Sequence, residues 1–512
     1  MIRIAFGAET PLSSARTLAA LMIAGSLSAC AVGPDYAKPV IDVPSRWSND
    51  KSAQSPKPAE LAGWWKKLRD PTLDRLVDEA VAGNLDVASA KARVREARAS
   101  YNQATGALFP SIDGSASATR SQSAGAAGGR GGAESYGGSS GRISNSLRAG
   151  LDASWEVDLF GSNQRNVEAT RYSLDAAEDD LRAALVTLIG DIAVNYVDVR
   201  SYQARIALAR RTAATQRETA RLTRAKFEAG SASRVDVANA DGQVASTEAG
   251  IPTQEAAMAQ AIHRLGVLTG RAPNALAGLL TKTAPVPSPR LPLPAGVPAD
   301  ILLSRPDVLA AERRLAEATA RIGEAEAALY PSISLTGNVA TSGVRLGDLA
   351  KNSSISWSFG PSLSVPVFNA GQLRAAVAAA QARRDQQFLA LHSSVLVALE
   401  EVENAIVALA QERIRYGKLS EAVRNYREAA GLARTLFESG STSFIEVLDA
   451  ERSLYSAEDA LIQSRVNIAA QYIALNKALG GGWSGAVETA KPVVVDSNTG
   501  PRPAAFLRTP SQ

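Results

Sequence analysis

Side chains that could do chemistry are scarce in this chain. Among 512 residues there are two histidines, His263 and His392, and one cysteine, Cys30. That count excludes a disulfide scaffold, a Cys/His zinc site, a papain-type pair and c-type haem attachment. The histidines stand alone and read as ordinary helix-surface or packing residues. There is no GxxxxGK[ST] and no HExxH, so neither a phosphate cradle nor a zincin site is present. The chain reads as a non-enzyme without a cofactor. A net charge of +4, with Lys and Arg scattered among Asp and Glu, argues against a nucleic-acid partner. A 46% hydrophobic and 21% charged composition excludes a disordered chain. With aromatics at only 5%, it suits long helices and small-residue packing.

The cysteine carries the one modification site. Arg3 and Arg16 precede a short apolar run from Leu18 to Ala29, which ends Leu27-Ser28-Ala29-Cys30. The run is too short to span a bilayer core of about 30 Å, so residues 1–29 read as a signal peptide. Small residues before a cysteine resemble the lipobox of bacterial lipoproteins, which implies that Cys30 is acylated and becomes the mature N-terminus. Ala31 follows, not the Asp associated with inner-membrane retention, so outer-membrane sorting is expected. No later run reaches 18 consecutive apolar residues, so no transmembrane helix is expected.

The elements that follow come in two copies. Residues 83–112 align with 304–333, placing Asp86 on Asp307 and Pro110 on Pro331 at an offset of 221. Leu159-Phe160-Gly161 aligns with Val367-Phe368-Asn369 at 208, and 226–240 aligns with 436–450 at 210. The first copy is therefore longer between its matched Pro and Phe, where the Gly/Ser-rich stretch 123–141 reads as a flexible loop. The predicted organisation is a lipidated extended segment 30–60, a first repeat 61–280, a Pro-rich connector 281–300, a second repeat 301–484 and a disordered tail 485–512. Each copy reads helix, strand, loop, strand, very long helix, tight turn, long helix.

The strands carry the sharpest pattern. From Leu147 to Leu159 every odd position is apolar, and the same holds for Ile355, Trp357, Phe359, Pro361, Leu363 and Val365. The even positions are dominated by Ser, Asp, Glu and Gly. Shorter strands are expected near 112–119 and 332–341. Strict period two over ten or more residues, with an apolar face toward outer-membrane lipid and a polar face inside, is the code of a transmembrane β-barrel. Four strands cannot close alone, and open edges in lipid cost several kcal/mol per unsatisfied group. Closure therefore requires copies of the chain, and a homotrimer gives twelve strands.

The helices are equally long-range. After Gly161 no proline interrupts the chain to about Glu228, roughly 100 Å if fully helical, with Leu181, Leu185, Leu188, Ile192, Tyr196 and Val199 three or four apart. Phe388, Leu391, Val395, Leu399, Val402, Ile406 and Leu409 repeat this. Such narrow seams indicate coiled-coil packing. The hairpin tips, Phe227 to Ser231 and Phe437 to Ser441, read as helix ends closed by Gly230 and Gly440 in the left-handed conformation, with Ser233 and Ser443 able to cap the returning helices.

Together, residues 63–99, 304–337, the repeated tips and the terminal Asn476-Lys477-Ala478-Leu479-Gly480-Gly481-Gly482-Trp483 resemble the TolC-like outer-membrane efflux factors. They resemble in particular the lipoprotein (NodT-type) branch attached to resistance–nodulation–division pumps. The resemblance covers nearly all of 30–485. It implies an α+β fold: a trimeric outer-membrane β-barrel, four strands per chain and twelve in total, continuous with a long periplasmic α-helical coiled-coil barrel. It further implies a passive exit duct for drugs or other small toxic solutes, completed by a periplasmic adaptor and an inner-membrane pump. The Gly-rich stretch departs from the family pattern and is expected to lengthen an external loop.

By the same resemblance a periplasmic gate lies near the hairpin tips, at Ile445, Glu446, Asp449 and Arg452. Spacing agrees, since Glu446, Asp449 and Arg452 share one helical face. Three Asp449 carboxylates would make a cation-attracting ring, and Arg452 would bridge a carboxylate and hold the closed state. The first copy has Val235, Asp236, Asn239 and Gly242 there, so the hairpins differ in charge. Adaptor contact is expected at Gly230, Ser231, Val235, Gly440, Ser441 and Ile445. Two other readings remain open at this point: the exit duct of a protein-secretion system, and a structural outer-membrane lipoprotein with no lumen.

Overall fold

The computed structural model describes residues 31–44, 61–123, 142–289, 299–482 and 487–491. The leader 1–29, Cys30, residues 45–60, the Gly-rich 124–141, the connector centre 290–298 and most of the tail lie outside the described residues. Described elements follow the doubled order. They are α1 (Pro71–Gly83), α2 (Leu85–Gly106), β1 (Ser111–Ser123), β2 (Arg142–Val157), α3 (Ser162–Glu228), α4 (Arg234–Leu268) and the short α5 (Ala277–Leu280). Then come α6 (Pro306–Ala327), β3 (Ser332–Gly343), β4 (Ile355–Ser364), α7 (Gln372–Glu438) and α8 (Phe444–Ala478). The long helices α3 and α7 have 67 residues each, and α4 and α8 have 35 each.

Two compact units draw on both copies. One comprises the described residues of 1–38 with 97–174 and 313–388; the other comprises 39–96, 175–312 and the rest.

The first unit holds one antiparallel sheet in the order β1-β2-β3-β4. Its register places apolar residues opposite apolar ones, as in Leu151↔Val339, Trp155↔Leu335 and Val339↔Trp357. Ile112, Leu151, Trp155, Val339, Ile355, Trp357, Phe359 and Leu363 are all exposed on this face. The other face is hydroxylic: Ser111↔Ser154, Ser334↔Ser362 and Asn338↔Ser358 lie opposite each other. Cross-strand Oγ contacts of 2.9 Å (Ser111–Ser154) and 3.0 Å (Ser334–Ser362) link it. The strands differ from the period-two reading at their ends. β2 begins earlier, at Arg142, and stops at Val157, because the Leu159 N–H turns back to the Val157 carbonyl at 2.8 Å.

A strap, 31–38, is seated in the same unit by Arg165 at the start of α3. The Arg165 guanidinium donates to the Val32 and Gly33 carbonyls at 3.1 Å each, to Asp35 at 2.8 Å and to Glu168 at 2.7 Å. The Val32 N–H donates in turn to the Phe160 carbonyl at 3.1 Å, and Tyr36 packs edge-on against Tyr172. Gly33 (φ 93°) crosses Gly323 so closely that a β-carbon would stand 2.3 Å from the Gly323 Cα.

In the second unit the apolar seam read from the sequence is buried at Leu181, Leu185, Leu188, Ile192, Tyr196 and Val199, and at Leu391, Val395, Val402 and Leu409. Phe388, at the edge of the first unit, is exposed instead. Asp70 caps α1 through the Thr72 and Leu73 N–H groups and also accepts from the Tyr196 hydroxyl at 2.5 Å. Burial, then this bond to a carboxylate, pushes the Tyr196 phenol up to about 12, so it stays a donor at every physiological pH. Arg200 donates to that hydroxyl and to the Lys282 carbonyl, tying the connector's first residues to α3.

Candidate functional site: the paired helical hairpins

Both tips close as their glycines predict. Gly230 and Gly440 each have φ 78°. The N–H of the next serine reaches back to the carbonyl of Lys226 or Leu436, at 2.8 Å in both copies, which is a Schellman closure. Ser233 forms a reciprocal capping box with Asp236. Ser443 does not cap; the Glu446 carboxylate that would complete its box instead accepts from the Thr442 hydroxyl. Beneath the tips Ala220, Ala240, Phe437, Phe444, Val447 and Leu448 make one buried cluster from four helices. Lys226 on α3 sits 5.0 Å over the Phe437 ring.

Ile445, Glu446, Asp449 and Arg452 all lie on the exposed face of α8, away from that cluster, and Gly230, Ser231, Val235, Gly440 and Ser441 are exposed around the tips. Asp449 has no hydrogen-bond or ion partner among the described residues of its protomer. Within the protomer Arg452 bonds an amide: its Nε donates to the Gln243 Oε1 on α4 at 2.6 Å. Other carboxylates of α4 and α8 are committed to arginines of α3 and α7. His263 and His392 are exposed on α4 and α7.

Those committed carboxylates are residues that sequence reasoning missed. On the first hairpin Arg210, Arg217 and Arg224 of α3 pair with Glu255, Glu248 and Asp241 of α4 at 2.6, 2.5 and 2.8 Å. The spacing is a heptad on both helices, running in opposite directions, which is a flanking charge ladder of an antiparallel coiled coil. The second hairpin repeats two rungs at an offset of 210, with Arg427–Glu458 at 2.5 Å and Arg434–Glu451 at 2.7 Å. There both carboxylates, and Asp459 beside Glu458, also bind the first hairpin. Glu451 accepts from Thr219 at 3.0 Å, Glu458 pairs with Arg211 at 3.2 Å, and Asp459 pairs with Arg205 at 2.7 Å. The repeated Arg-to-acid spacing was the available signal. Sharing between hairpins was not readable from one helix at a time.

A sheet with one apolar and one hydroxylic face, in the same doubled chain as paired coiled-coil hairpins, is one architecture in particular. The sequence model described as "Outer membrane efflux protein" matches residues 76–271 and 297–481.

The chain belongs to the outer membrane efflux protein family.

Nodulation protein T of Rhizobium leguminosarum bv. trifolii is 36% identical over 464 residues, 90% of this chain and 96% of that protein. The toluene efflux pump outer membrane protein TtgI of Pseudomonas putida is 32% identical over 90% of this chain and 96% of its own length. Among solved structures, the outer-membrane channel OprN superposes with a TM-score of 0.80 at 34% identity, covering 89% of this chain and all of that one. This efflux-family member thus has the fold class expected from its sequence, that of the trimeric TolC-like outer-membrane channels.

Proposed function

We propose that three copies of this chain form the outer-membrane exit duct of a tripartite efflux pump. The duct conducts drugs or other small toxic solutes passively from an inner-membrane resistance–nodulation–division pump, through a periplasmic adaptor, to the outside. One observation carries the reading: each protomer presents a two-faced sheet whose outer strands, β1 and β4, have unpaired edges among the described residues. In lipid such edges are tolerated only when a barrel closes, and three protomers supply twelve strands with the hydroxylic face as lumen. The toluene-efflux relative supports small toxic solutes as cargo.

In this reading Cys30 carries the lipid anchor, and the exposed tip residues Gly230, Ser231, Val235, Gly440, Ser441 and Ile445 meet the adaptor. The gate lies on the exposed face of α8. Three copies of Asp449 line the constriction, with Ile445 one turn away and Glu446 beside it. Arg452, bonded to Gln243, holds the second hairpin against the first. Single-channel conductance in a planar bilayer tests this. Wild type should conduct weakly, and the Asp449→Ala/Arg452→Ala variant several-fold more. Equal conductance in both would move the gate elsewhere. An inserted trimer that never conducts would remove the duct.

A further inference from the structure

The duplication lets a contact inside one protomer specify a contact between protomers. Phe160, just after β2, stacks on Tyr330, just before β3, with ring centroids 4.7 Å apart and planes at 18°. This aromatic joint sits where the first copy's sheet exit meets the second copy's sheet entrance. The counterpart of Phe160 is Phe368, after β4, at an offset of 208; the counterpart of Tyr330 is Phe109, before β1, at 221. Within one protomer these two have no such joint. Phe368 is 89% exposed, Val367 beside it also 89%, and Phe109 65%. Both flank the strands whose edges are open.

We propose that Phe368 of one protomer stacks on Phe109 of the partner subunit, repeating the Phe160–Tyr330 joint at every seam and setting the register of β4 against the partner's β1. The inference rests on the trimeric duct reading and adds the residues that join its subunits. Strand parity supports it independently. In β2 and β3 the apolar residues are odd-numbered and pair with one another, as in Val157↔Ile333. In β4 they are also odd, but in β1 they are even: Ile112, Gly114, Ala116 and Ala118 lie opposite odd residues of β2. An even offset for one strand and an odd offset for the other converts the first pattern into the second. Val157↔Ile333 becomes Val365 opposite Ile112, apolar against apolar. A shift of one residue would turn every side chain to the wrong face.

Thiol crosslinking of the full chain tests the joint, because Cys30 is its sole native cysteine. Phe109→Cys with Phe368→Cys, treated with a short bis-methanethiosulfonate, should give bands at two and three times the chain mass. Each single variant should stay at the chain mass, and Phe160→Cys with Tyr330→Cys should react within one chain, without a mass shift. Light scattering on wild type establishes the trimer beforehand. If the trimer is present and the internal pair reacts while the Phe109/Phe368 pair gives no multiples, the joint is wrong and the duct reading stands. A wild type that is monomeric in membranes and detergent overturns both. In a second series Phe368→Ala should lower the temperature at which the trimer dissociates and Phe368→Tyr should restore it; equal loss in both variants counts against a stacked ring.

Discussion

At the scale of single residues, the two copies solve one problem with different chemistry. The Asn84 side-chain amide donates to the Leu268 carbonyl at the end of α4, at 2.9 Å. Arg305, its counterpart, donates to the Ala478 carbonyl at the end of α8, at 2.6 Å. Each satisfies a carbonyl that the helix terminus leaves without an internal partner. Arg305 also pairs with Asp307 at 2.7 Å and with Glu401 at 2.9 Å. Burial alone would raise the Asp307 carboxyl, but the Arg305 hydrogen bonds and charge, with backbone N–H groups, hold it below its ordinary value. A depressed carboxylate contributes stability above its unfolded pKa of about 3.9 and loses it as pH falls through the lower folded value. Arg305→Ala should therefore cost about 2–3 kcal/mol at neutral pH, less than a fully buried pair because both acids are half exposed. It should also flatten the acid limb of the stability profile below about pH 4. Urea unfolding at a series of pH values checks both. The repeat of Asp86 as Asp307 was legible in the sequence. The carbonyls guarded beside them were not, since these lie at the far end of another helix.

At the scale of elements, the arginine rungs and the sheet faces make opposite demands. Glu451 is buried while its Arg434 partner is partly exposed, and it serves two helices. Glu451→Gln should cost about 1–2 kcal/mol; the swap Arg434→Glu/Glu451→Arg should recover only part, because Thr219 then faces a guanidinium. A double-mutant cycle on denaturation midpoints measures this. On the sheet, Trp357→Arg places a cation on the apolar face, where membrane strands lose about 2–4 kcal/mol, whereas Ser358→Arg on the hydroxylic face should be tolerated. The yield of inserted, heat-resistant trimer separates them. Period two made the strands legible almost to their ends, and the absence of proline did the same for α3. The Arg452–Gln243 bond was not legible, because Gln243 lies on another hairpin, beyond any i, i+3 relation.

At the scale of the whole molecule, the compact units cut across the repeats: each takes segments from both copies, as a duplicated chain must when equivalent elements pair with each other. Under the duct reading the lipid on Cys30 is an anchor and not a strut, because protein contacts centred on Arg165 already seat the strap that follows. Cys30→Ser should abolish acylation, seen in the mass of the N-terminal peptide, while single-channel conductance stays at the wild-type value. A collapse of the channel in that variant would make the lipid structural.

The Arg165 clamp also has a mechanical reading. Tension applied to the chain ahead of Ala31 reaches the Val32, Gly33 and Asp35 contacts of one guanidinium, together with the Val32–Phe160 bond. These must yield nearly together before the strap can peel. The force passes into Arg165 in the first turn of α3 and into Phe160 just after β2. Pulled from its amino end, the chain thus loads the β2–α3 joint first.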